Sequence, residues 1–342
     1  LARGRRAPIL ARRFPHRIKE SDMLIGILSA AAILILAGLL LFRPPAVASL
    51  GGRIRPARDY AEAERRIAAL RERDDGRVLP EARLQFFTHG AQTDKAIVFV
   101  HGYTNCPKQF VELGRRFFRL GYNVLIANLP RHGNPDRMTA DQSNLTAEEL
   151  AAYGDETADI AVGLGRRVTF AGLSCGGVVS AWAWAFRPGV GTAVLMAPAI
   201  GLRLLPSRLT VPAINLFSRL PAVYGWFNPV GKAGGTPPCT YPRWSTRALA
   251  QILRLGYAVR RRASESLPTG KKLILVTNPN DWAVDNQLMK ETALEWKARG
   301  ADVTLHEFSP ALKLDHDFID PAHPNQPVGV IYPMLEKWIT EA

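Results

Sequence analysis

Gly172-Leu173-Ser174-Cys175-Gly176 sits where the β-branched run "RVTF" gives way to the helical pattern "VVSAWAWAF". A serine held on so sharp a strand-to-helix turn is strained, and it crowds the residues two places either side, hence glycine at both. The helix that follows aims its first N–H groups at the serine oxygen, where negative charge develops during attack on a carbonyl. Ser174 is therefore the candidate nucleophile. It requires a base, a carboxylate to orient that base, and N–H donors for an oxyanion.

"HGYTNCP" at residues 101–107 closes the buried run "AIVFV". Its position at a strand end makes the backbone N–H groups of Tyr103 and Cys175 the expected oxyanion hole. His101 is read as a brace for this loop and not as the base. "TNPNDWAVDN" leaves the run at 272–277 with two carboxylates. Asp281 lies just past the strand end and is preferred as the acid, although its Asn-Pro-Asn-Asp setting also suits a plain turn. Asp285 is placed to cap the next helix. "LDHDFID" at 314–320 supplies His316 as the base. His306 belongs to a strand pattern and His323 lies among prolines, so both are read as structural. His316 would take the Ser174 proton and pass it to the leaving group, while Asp281 fixes the tautomer.

These residues need a frame that gathers strand ends. Apolar β-branched runs at 95–100, 122–128, 167–172, 192–199, 272–277 and 302–308 alternate with helical patterns at 107–121, 146–164, 175–187, 284–299 and 328–341. A further strand is expected within 84–90. Such alternation predicts an α/β fold with a mostly parallel sheet covered by helices on both faces. Right-handed crossovers then bring the strand C-terminal ends to one edge. Residues 200–270 interrupt the pattern and are mainly helical in character, far longer than a connection requires.

Taken together, "VFVHGYTNCPKQF", "GYNVLIANLPRHG", "GLSCGG", "NPNDWAVDN" and "LDHDFID" resemble an α/β-hydrolase-fold serine hydrolase of the esterase and monoacylglycerol-lipase-like branch. The resemblance spans residues 84–342. It implies a Ser174, His316 and Asp281 triad, an oxyanion hole at Tyr103 and Cys175, a cap formed by the insert, no metal and no cofactor. The expected reaction is hydrolysis of small or lipid-like carboxylic esters. An acyltransferase using the same residues and a silent lipid- or partner-binding scaffold are the alternatives, and a peptidase is compatible with the motifs. The insert matches no known lid, and the cysteine after the nucleophile departs from the pattern.

The net charge of +14 is unevenly placed. Residues 201–272 hold twelve Lys and Arg against one carboxylate, Glu265. No nucleic-acid motif accompanies this charge; the basic cap suggests contact with anionic lipid headgroups or with an acyl substrate carrying a negative head, the alternative being a soluble cap whose arginines are solvated. Residues 23–42 are 20 uncharged residues, about 30 Å as a helix and enough to span a bilayer. Seven Lys and Arg precede it, a bias that predicts a cytoplasmic tail at 1–22, a single-pass anchor at 23–42 and an extracytoplasmic catalytic domain. Cleavage near Ala48, at "AVA", with secretion is the alternative. Residues 43–83 read as a Pro- and Gly-rich linker and a charged helix that spaces the globular part from the membrane. Of three cysteines, Cys106 and Cys239 are the candidate pair if the domain lies outside the cytoplasm, and the sequence leaves open whether they bond.

Overall fold

The computed structural model describes residues 20–227, 237–323 and 326–341. The basic tail expected at 1–22 therefore falls almost wholly outside the described residues. The chain divides into two compact units, one ending at Arg43 and the other running from Pro44 onward. Helix α1 (Glu20–Phe42) forms the first. Its stretch Met23–Phe42 is long and apolar enough to cross a membrane.

The second unit is a seven-stranded sheet flanked by helices. Its strands are β1 (Gln85–Phe87), β2 (Thr93–Val100), β3 (Tyr122–Ile126), β4 (Gly165–Leu173), β5 (Thr192–Met196), β8 (Lys272–Thr277) and β9 (Asp302–Glu307), in the order β1-β3-β2-β4-β5-β8-β9. Only β1 runs antiparallel to its neighbour. β3 and β5 stop earlier than their apolar runs suggest, because the residues beyond them turn into the loops of the site. The central strands are buried on both faces, which is why they read as unbroken apolar runs.

The helices follow the sequence pattern closely. α4 (Ala147–Leu164) starts in a capping box between Thr146 and Glu149, and α5 (Cys175–Phe186) runs directly from the serine turn. α3 (Val111–Arg119), α8 (Asn286–Ala298) and α9 (Val328–Thr340) complete the layers. The insert contributes α6 (Thr210–Phe217), a small hairpin of β6 (Tyr224–Trp226) and β7 (Arg243–Ser245), and the long α7 (Thr246–Glu265). α7 packs on α5 and α6, so the insert is a cap built onto the domain.

Residues 44–83 behave differently from the expected linker and spacer. Helix α2 (Tyr60–Asp74) buries Ala63, Ile67 and Leu70 against α4 and joins the main core. The segment before it is strapped down through polar contacts. Asp155 and Asp159 of α4 accept the Gly52 and Arg55 N–H groups, and the Ala57 N–H bonds the Asp159 carbonyl at 2.8 Å. The buried Arg187 neutralises both carboxylates, at 3.0 Å from Asp155 and 2.7 Å from Asp159. Arg187→Met leaves two buried carboxylates without their cation and is expected to cost about 3–5 kcal/mol, read as a lowered urea midpoint.

Candidate active site

Ser174 adopts φ 57° and ψ −116°, a strained backbone for a residue with a side chain. Three backbone bonds hold it there: its N–H to the Met196 carbonyl at 2.9 Å, and its carbonyl to Val178 N–H and Ala199 N–H at 3.1 Å each. The glycines have the expected cause. A Cβ at Gly172 would fall on the Gly176 carbonyl, and one at Gly176 would fall on the Val100 carbonyl. The turn therefore closes only with hydrogen at both positions.

His316 and Asp281 meet as the spacing predicts. His316 Nδ1 lies 2.7 Å from Asp281 Oδ2. The other carboxylate oxygen accepts the Ala283 N–H at 2.8 Å and the Val284 N–H at 3.1 Å. Burial favours a neutral Asp281, but the bond and charge of His316 and these two N–H donors outweigh it and hold the carboxyl below its ordinary value. Burial likewise favours a neutral His316, yet Asp281, helped by Asp317 and Asp315, raises its pKa above 6.5. With Nδ1 engaged by the carboxylate, Nε2 is left as the basic nitrogen. Asp285 instead caps α8, accepting the Gln287 and Leu288 N–H groups at 3.1 Å each.

Ser174 and His316 line one cavity of about 430 Å³, with Asp281 buried behind the histidine. Leu202, Phe227, Tyr241, Leu249, Ile252 and Trp282 supply its apolar and aromatic walls. A larger cavity of about 580 Å³, beside α2 and α4, contains none of the three. Cys175 opens α5, so its N–H has no acceptor within the first turn. Tyr103 N–H likewise has no acceptor among the described residues. Its direction is set through its own peptide group: the Gly102 carbonyl bonds His101 Nδ1 at 3.0 Å and Asn105 N–H at 3.1 Å. A trans peptide then points the Tyr103 N–H the opposite way. A Cβ at Gly102 would lie 3.8 Å from Ser174 Cβ, so this loop runs beside the serine.

His101 is the brace expected of it. Leu129 N–H donates to its Nε2 at 3.0 Å, which puts the proton on Nδ1, facing the Gly102 carbonyl. Burial, with His132 beside it, pushes its pKa down to about 3. His306 stacks on Trp338 at 4.3 Å and does not line the cavity of Ser174, whereas His323, read as structural, lines it and stands 3.7 Å from Asp315. Cys175 is a free buried thiol whose pKa burial pushes up to about 12. Cys106 and Cys239 form a disulfide, the pairing the sequence leaves open.

Several residues of the site carry no local signal. Gln109 accepts the Gly102 N–H at 2.9 Å, and His132 Nε2 accepts the Thr104 N–H at 3.1 Å. Arg203, at the start of the cap, donates to the Asp281 carbonyl at 2.7 Å. His132, in "PRHG", and Gln109, in "PKQF", stand in stretches the sequence singles out but carry no sign of these contacts, and Arg203 stands in none.

No curated protein matches the chain by sequence. Solved structures match its fold. A monoacylglycerol lipase from Paleococcus ferrophilus has TM-score 0.57 and 17% identity, with 75% of this chain and 98% of that one covered. A structure described with two metagenome-derived lipolytic enzymes has TM-score 0.53 and 18% identity, covering 78% and 100%. A monoglyceride lipase from Saccharomyces cerevisiae has TM-score 0.54 and 13% identity, covering 75% and 91%. At such identities the likeness is one of fold. The family model described as "Alpha/beta hydrolase family" matches residues 97–326, a span that holds the serine turn, the acid turn and the histidine loop together, and by that match the chain belongs to the alpha/beta hydrolase family.

Proposed function

We propose that this protein is a serine hydrolase that cleaves carboxylic esters through an acyl-enzyme on Ser174. The supporting observation is the 2.7 Å bond from His316 to the buried Asp281, with His316 and Ser174 on one cavity. His316 Nε2 takes the hydroxyl proton as Ser174 Oγ bonds the ester carbon. The carbonyl oxygen becomes an oxyanion that Tyr103 and Cys175 N–H groups stabilise. The C–O bond to the alcohol then breaks, and His316 returns the proton to the leaving oxygen. Water repeats the sequence, releasing the acid and restoring Ser174. A panel of p-nitrophenyl esters of rising chain length, run beside Ser174→Ala, tests this reading. Product analysis with added alcohols separates hydrolysis from acyl transfer.

The setting is also a proposal. The basic flank before Met23–Phe42 and the Cys106 to Cys239 disulfide support a signal anchor with the hydrolase unit outside the cytoplasm. The cap supports contact with anionic lipid: Leu204 is 92% exposed, and Leu209, Leu216, Leu220 and Val223 are exposed near Arg203, Arg208 and Arg219. The anchor-deleted unit is expected to bind vesicles containing anionic lipid, to ignore neutral ones, and to release at high salt. Equal binding to both vesicle types in a flotation assay removes the idea.

A further inference from the structure

The cap returns to the domain through residues 237–245, and this limb is fastened to the loop that carries the Tyr103 N–H. Three ties fall on three different loop residues. The disulfide joins Cys106 to Cys239. The Tyr241 N–H donates to the Thr104 carbonyl at 2.8 Å. The Ser245 N–H donates to the Tyr103 hydroxyl at 3.0 Å, and that hydroxyl donates in turn to Gln142. Gln142 closes the ring by donating to the Arg243 carbonyl at 3.1 Å.

The loop needs such support. Thr104 has φ 68°, a left-handed backbone that a β-branched residue holds only when its surroundings impose it. Its N–H is taken by His132 and its carbonyl by Tyr241, so both peptide groups flanking it are pinned. Tyr241 fixes the His132 loop as well. Its hydroxyl accepts the Asn134 N–H at 3.1 Å and donates to the Arg131 carbonyl at 2.9 Å, and its ring stacks on His132 at 5.8 Å. Tyr241 also borders the cavity of Ser174.

We propose that the cap's return limb positions the oxyanion hole, with Tyr241, the Tyr103 hydroxyl and the Cys106 to Cys239 disulfide as the positioning groups. The limb is then part of the catalytic frame and not a free lid. The inference rests on the ester-hydrolase reading of Ser174. Positioning of this kind acts on the transition state, where the oxygen carries charge, and hardly on the neutral ester.

The test uses the full chain in detergent with p-nitrophenyl butyrate. Tyr103→Phe, Tyr241→Phe and the double variant Cys106→Ser with Cys239→Ser are compared with wild type and with Leu294→Ser, an exposed control on α8. Each of the three is expected to lower kcat about 10- to 100-fold with KM changed less than about threefold. Each should weaken inhibition by butylboronic acid, whose serine adduct places an oxygen in the hole, by a similar factor. The control should leave both unchanged. If the double cysteine variant does not fold, the two tyrosine variants carry the test, because each removes one hydroxyl only. Variants that melt earlier but keep wild-type kcat and boronate affinity below their melting range show a merely structural role and overturn the proposal. Wild type that neither turns over ester nor binds boronate overturns the hydrolase reading, and the clamp's role falls with it.

Discussion

Ser174→Ala is expected to reduce kcat on p-nitrophenyl esters by a factor on the order of 10⁴–10⁶ and to abolish labelling by a fluorophosphonate probe. The hydroxyl is the only group removed, so the melting temperature should barely move. The backbone at φ 57° is the more telling part. Alanine keeps the strain, whereas Ser174→Gly relieves it and should raise stability by about 1 kcal/mol while remaining equally inactive. A protein that is dead and more stable marks a residue retained for chemistry at the expense of folding. Labelling that survives Ser174→Ala would move the nucleophile elsewhere.

Asp281→Asn is the second large effect. Two backbone donors, Ala283 and Val284 N–H, face one oxygen of the carboxylate. They demand an acceptor, so the asparagine carbonyl must take that place and its NH2 group must face His316 Nδ1. Nδ1 then has to accept, the proton moves to Nε2, and the ring loses its ability to take the serine proton. A fall in kcat of about 10⁴-fold is expected, with KM little changed. The pH profile should move too. In the proposed mechanism activity requires neutral His316, whose pKa is raised above 6.5, so activity is expected to rise with pH through a midpoint on the alkaline side of that value. Without the carboxylate, burial dominates and residual activity should begin at lower pH. Stability has its own sign. A His316 that binds its proton more tightly when folded adds stability that is complete below about pH 6.5 and disappears as pH rises through the raised value. The depressed Asp281 adds stability above its ordinary range and loses it as pH falls through the folded value. A profile identical in wild type and Asp281→Asn would remove Asp281 from its assigned role.

The site was legible where local covalent geometry dictates residue type. Gly172 is forced by its collision with the Gly176 carbonyl within the turn itself, whereas Gly176 meets the Val100 carbonyl at the end of the neighbouring strand β2. Asp281 and Asp285 were separable because one follows a strand and the other precedes a helix. What was hidden depends on contacts across the fold. Gln109 and Arg203 look like ordinary surface polar residues, yet one holds the Gly102 N–H and the other the Asp281 carbonyl. The strap at 44–57 read as a linker because its Pro, Gly and Ala have no periodicity. Its fastening is supplied by Asp155, Asp159 and Arg187, which lie about a hundred or more residues away. α2 was recognised as amphipathic, but a stripe of Ala63, Ile67 and Leu70 does not say which surface it covers.

That strap also bears on maturation. Arg254 grips the Ala46 carbonyl, Leu50 N–H turns back to the Val47 carbonyl, and Leu50 rests on the core. A processing peptidase needs this stretch extended in its own cleft, so the "AVA" sequence is open only to a chain whose domain is still unfolded. On the proposed extracytoplasmic placement, release and tethering are then outcomes of a race between proteolysis and folding, and a domain that has folded first keeps its tether.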